Sequence, residues 1–383
     1  MRLRQWSFVV MAAAGILSPS PGFGGTVQKA REAKDYTVVT SGEEPQGPPL
    51  SLTFREDLKI AVDGWTPWDL HVDGGGNIYV FADREWMIRK FNDRGVEIAS
   101  LKLKKGQGPG EFQMVDGAFL PDGTLFIYDA PQRRLTAFNG KFEMQDIRKT
   151  DFWGLTFRMD SKSNMYFLDV RFLSGTRDRQ RLVFAKHSPS GKILLEMMDY
   201  LWGMNFDRVK KKYVANLFPP QLKYAVDERD FVYYAMSDRY EIALLSPEGE
   251  LSRKIVKKGL SRKVSQADID LKMAGYSESL RARYEFTHPE RMPRIAALFP
   301  VSNGSLLVIT YESGPGSKNL AGDIFDEKGV FRGSAQVPAY TGWEGLLAPA
   351  LARAACRGDS FYTIETDEAE ENYFVKRYKM ILK

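Results

Sequence analysis

The chain has 383 residues, of which 43% are hydrophobic and 13% aromatic, enough for a large core and rich in the Phe and Tyr that favour strands. Its 54 basic and 49 acidic residues leave a formal charge of +5. Two of those basic residues, Arg2 and Arg4, belong to a predicted leader, so the mature surplus is only +3, which argues against a nucleic-acid partner.

In chain order, Arg2 and Arg4 open a basic start, and residues 7–17 form an apolar run too short to span a bilayer. Small residues follow, with Gly22 and Gly24 as the cleavage region, so 1–24 reads as a signal peptide. No cysteine follows the apolar run, so no lipid anchor is expected, and the protein is placed in the periplasm or outside the cell. No later segment is apolar enough to cross a membrane. The lone Cys356, beside Ala354 and Ala355, makes no internal disulfide and reads as a buried small residue. Residues 25–50 are charged, then rich in Gly and Pro, and are expected to be a flexible tether. From Leu52 to Val62 five of six even positions are apolar, the pattern of a half-buried strand.

The remainder repeats one phrase: apolar strand, tight turn, second strand, loop, third strand, polar turn. Its clearest copies carry Ile78-Tyr79-Val80 with Phe91-Asn92-Asp93-Arg94-Gly95, and Leu125-Phe126-Ile127 with Phe138-Asn139-Gly140. They match at a constant offset of 47 residues, which also lays Asp69 on Asp116. A repeat of this kind cannot bury its own apolar face, so copies must stack around a common axis. Later copies contain residues 165–168, 231–234, 306–309 and 361–364, giving six units. The last has only three strands, and the orphan strand at 52–62 completes it and closes the ring. The fold class is therefore all-β, a six-bladed propeller over 51–383 closed by an N-terminal strand. One insertion departs from it. Ser265 and Asp268 resemble a helix start, and Ile269, Met273, Tyr276, Leu280 and Tyr284 follow on one helical face. Six basic residues between Arg253 and Lys263 lead into it and read as a solvated face.

The string Lys105-Gly106-Gln107-Gly108-Pro109-Gly110-Glu111-Phe112, with the strand Tyr79–Asp83 and the turn at 91–95, resembles NHL-type repeats. More closely it resembles a bacterial exported six-bladed β-propeller family bearing a G-x-G-P-G-E-[FY] loop. The resemblance implies the fold and an envelope location and implies little chemistry. The residues themselves give the loop a structural reading. Its glycines permit unusual backbone angles, Glu111 accepts nearby amides, and Phe112 wedges between blades. A phosphate cradle would need a helix to follow, and a strand follows instead.

No familiar catalytic motif is present, and His71, His187 and His288 are isolated. Two candidate constellations remain. Asp69 and Asp116 occupy equivalent inner strands and could hold Ca²⁺ for lactone or ester hydrolysis; the competing reading ties each to backbone amides. Arg84, Trp86, Arg133, Arg177 and Arg239 lie in loops that share one face and suit a protein, peptide or glycan partner. The function expected is thus an exported, monomeric binding or scaffold propeller needing no cofactor. A Ca²⁺-dependent lactonase or hydrolase is the alternative.

Overall fold

Five four-stranded antiparallel sheets follow one another at 67–102, 116–149, 154–202, 222–257 and 295–338, and a sixth closes the ring. The computed structural model describes residues 31–383 apart from 63, 65–66, 83–85, 173–179, 203–204, 208–211, 302, 316, 318, 339–353 and 368–371. The expected signal peptide therefore lies outside the described residues. Second strands such as Ile78–Ala82, Leu125–Asp129 and Leu306–Thr310 are buried along their whole length, because a blade covers them on either side. Tyr79 and Phe81 of blade 1, for example, pack with Leu125, Ile127 and Phe138 of blade 2.

Strand β2 (Leu52–Ala61) pairs antiparallel with Tyr373–Leu382 and becomes the outer strand of blade 6. The ring closes as the orphan strand implied. The stretch before it corrects the tether expectation: β1 (Arg31–Ser41) adds in parallel to Glu250–Lys257, the outer strand of blade 4. The chain then passes blade 5, where Ser41 Oγ accepts the Phe331 amide at 3.0 Å and the amides of Gln46 and Leu50 donate to Phe331 and Arg332 carbonyls. Strand addition uses backbone groups, so the charged start of this segment does not prevent it.

Two repeated devices hold the blades. The turn between third and fourth strands starts with a side chain that accepts two amides ahead of it, as Asn92, Asn139 and Asp326 do. Long cations then reach the turn carbonyls of the next blade: Lys90 to Gly140, Arg148 to Pro189, Lys186 to Pro247, Arg253 to Glu327 and Arg377 to Asp93.

The insertion is two helices, not one. Ser265 and Asp268 form the expected capping box of α1 (Gln266–Ala274), but Gly275 ends it and Ser277 caps α2 (Glu278–Arg283). Tyr284, expected on the same helical face, begins a strand. Ile269, Met273 and Tyr276 pack on the blade 5 core. The basic lead-in is not simply solvated, since Lys257 pairs with Asp323 and Arg262 with Asp268.

Candidate functional site at the propeller axis

Inner strands place equivalent residues at one level of the axial wall. Asp69 lies opposite Phe81, Asp116 opposite Tyr128, Leu155 opposite Leu168, Lys223 opposite Ala235 and Ala297 opposite Ile309. Thr156 is an extra residue in a register shift, with φ of 54°, and so does not take the place of the two aspartates in blade 3. The residue that sequence reasoning missed is Lys223. Aligning Val232–Met236 on Ile78–Ala82 would have found it, because the strand that follows each inner strand is the better preserved element.

One step along the same wall, His71 lies opposite Tyr79 and Arg158 opposite Tyr166. The axis is therefore acidic on blades 1 and 2 and basic on blades 3 and 4. Asp69 is buried; its Oδ1 accepts the Leu70 amide at 2.8 Å and its Oδ2 is 2.9 Å from His71 Nε2. His71 also packs against the rings of Phe81 and Phe119, a satisfied histidine. Asp116 is half-buried, and desolvation dominates and pushes its carboxyl up to about 7. Arg158 and the backbone amides of Phe157 and Gly117 oppose that rise, and the charge of Asp69 adds to it. Burial works against the Arg158 guanidinium, but Tyr224, Asp69 and Asp116 outweigh it and raise its value. Arg158 Nη1 donates to the Phe157 carbonyl at 2.7 Å. The Tyr224 hydroxyl, pushed up to about 12 by burial, sits 3.2 Å from Thr156 Oγ1.

The repeat thus brings Asp69 and Asp116 into each other's field, and both are tied to backbone amides. Among the described residues no group of three His, Cys, Asp or Glu side chains converges as a metal site. Burial pushes the Cys356 thiol up to about 12, away from reactivity.

The loop candidates separate. Trp86 and Arg133 occupy equivalent turns with φ of 50° and 48°, and their carbonyls accept the amides of Leu103 and Thr150, again 47 apart. Trp86 packs on the core between blades 1 and 2 and carries Lys105 Nζ 4.6 Å from its ring centroid, so it is a packing residue. Arg239 is exposed beside Asp238. Arg84 and Arg177 lie outside the described residues. The glycine loop is built as its residues imply. Glu111 accepts the Gly108 amide at 2.9 Å and pairs with Lys104, while Phe112 is buried between blades 1 and 2. Gln132 and Arg134 of blade 2 bind the carbonyls of Gly106 and Gly108.

No family model matches the chain, and no curated protein matches it. Solved structures do. A Bacteroides fragilis protein described as exported is 13% identical, with a TM-score of 0.52 over 91% of this chain and 100% of its own. A member of the DUF4221 family from Bacteroides vulgatus is 10% identical, with a TM-score of 0.50 over 86% of this chain and 99% of its own. These likenesses show the fold. A virginiamycin B lyase from Staphylococcus aureus, at a TM-score of 0.42 and 10% identity over 87% of this chain and 100% of its own, is too distant to carry chemistry across.

Proposed function

We propose that the protein is an exported binding or scaffold propeller whose loop face holds a protein, peptide or glycan. The observation that supports this reading is the elaboration of the connections at one end of the ring, while Asp69 is held by the Leu70 amide and His71 and Asp116 by backbone amides. Inner strands begin, and second strands end, at that end of every blade, so the glycine loop, the helices and the turns of Arg133 and Arg239 share it. There a small sheet of Asn205–Asp207, Lys212–Asn216 and Tyr284–Thr287 ties two insertions into one cap. The test is capture from envelope extract and binding to peptide and glycan arrays, comparing wild type with an Arg133→Ala/Arg239→Ala variant. The variant should lose the partner at an unchanged melting temperature. Equal binding by both proteins would remove these residues from the reading.

A second reading rests on the approach of Asp69 to Asp116. Together they would offer oxygen ligands to Ca²⁺, which would polarise an ester or lactone carbonyl. A melting temperature that falls with chelator and recovers with Ca²⁺ would favour it; no shift would end it.

A further inference from the structure

A cleft of about 140 Å³ opens between blades 5 and 6, at the end of the ring opposite the loop face. Two turns frame its mouth: 301–305, which joins the inner and second strands of blade 5, and 358–359, which does the same in blade 6. Its walls come from both blades. Leu307 and Ile324 belong to blade 5, while Leu52 of β2 and Met380 of the strand beside it belong to blade 6, and all four are buried in one apolar cluster.

One buried polar side chain is part of that lining. Ser305 is 2% exposed, and among the described residues it bonds through its backbone alone. Its amide donates to Asn303 Oδ1 at 3.0 Å, and its carbonyl accepts the Val301 amide at 2.8 Å. The Ser305 hydroxyl, both donor and acceptor, is therefore left to the cleft. Charge is confined to the mouth, where the exposed Asp359 pairs with Lys379.

An apolar space of about 150 Å³ takes a ring the size of benzene. A charged group on that ring would lose its hydration and find no counter-charge among these walls, so they select a neutral one. A buried hydroxyl without a partner costs free energy that a polar atom of the ligand recovers. We propose that the cleft binds a small neutral ring carrying one hydroxyl, a phenol in chemical class, with the ring against Leu52, Leu307, Ile324 and Met380 and the hydroxyl bonded to Ser305. The site shares no residue with the turns of Arg133 and Arg239 or with the axial aspartates, so it stands or falls apart from both readings above.

The probe is 4-fluorophenol, titrated into the purified protein and followed by its ¹⁹F resonance, with fluorobenzene run in parallel. Wild type should bind the phenol saturably and about 3–10-fold more tightly than fluorobenzene, the worth of one buried hydrogen bond. Ser305→Ala should bring the two dissociation constants together by weakening the phenol alone. No saturable binding, or equal affinity of wild type for the two probes, would overturn the site. So would a preference for the phenol that survives in Ser305→Ala. A second measurement needs no variant. In methyl-labelled wild type, nuclear Overhauser effects from the bound ring should reach the methyl groups of Ile324 and Met380. Effects confined to other methyl groups would place the ring elsewhere and overturn the proposal.

Discussion

Blades 1 and 2 reach their structure by repetition, whereas blades 4, 5 and 6 share a strap of chain that is not part of the repeat. In the first pair, the offset of 47 residues governs inner aspartates, turn strain and hydrogen-bond partners alike, and the glycine loop bridges the two. In the second group, β1 lies on blade 4, residues 41–50 bind blade 5, and β2 supplies a strand to blade 6. The difference teaches which joints the repeat does not supply. All of these blades bury one another through shared side-chain clusters, but blades 4, 5 and 6 add backbone pairing with the N-terminal segment.

The largest test of that contrast is deletion of everything before residue 62. Blade 6 would lose its outer strand and expose the edge of Tyr373–Leu382. The expected outcome is loss of the folded monomer, read by size-exclusion chromatography and a circular-dichroism melt; a folded monomer would show that closure does not need β2. On the repeat side, Phe112→Ala should cost about 3–5 kcal/mol by emptying the wedge between blades 1 and 2. Urea denaturation measures it. A loss below about 1 kcal/mol would mean that the loop, and not its anchor, joins these blades.

Asp116 sharpens the comparison at the axis. Its folded value near 7 lies above that of an unfolded carboxylate, about 3.9. The folded chain therefore holds this proton more tightly than the unfolded chain. The resulting stability is full below about pH 4 and is lost as pH rises to about 7. Asp116→Asn removes the group, so the melting temperature of the variant should gain on wild type through that window and run parallel above it. Curves parallel from pH 4 to 8 would show that Arg158 and the amides hold the charge without penalty.

The architecture was legible because it rests on strand periodicity and turn chemistry, both local properties. Asn92 and Asn139 announce their turns, and apolar alternation at 52–62 announces the closing strand. The equivalence of Asp69 and Asp116 was legible for the same reason. What escaped depends on contacts distant in sequence. β1 is a backbone addition with little side-chain signature, and Trp86 was spent on packing that only the turn at Leu103 explains. Lys223 was hidden because inner strands vary more than the second strands that index them, and the helix break at Gly275 because an apolar spacing continues across it. The axial charge division thus became visible only when register aligned blades 3 and 4 with blades 1 and 2.

Ser41 probes the strap most finely. It is fully buried, and its Oγ accepts the Phe331 amide while its carbonyl accepts that of Lys258, so one residue joins β1, blade 4 and blade 5. Ser41→Ala keeps the backbone contact and removes the acceptor, leaving the Phe331 amide buried without it. The expected cost is about 1–3 kcal/mol, less than the loss at Phe112. Hydrogen exchange should locate the damage: faster exchange at Phe331 and along β1, with blades 1 and 2 unchanged. Uniform acceleration across all six blades would mean that the strap and the repeats unfold as one unit, and the contrast between the two halves of the ring would then be one of construction and not of stability.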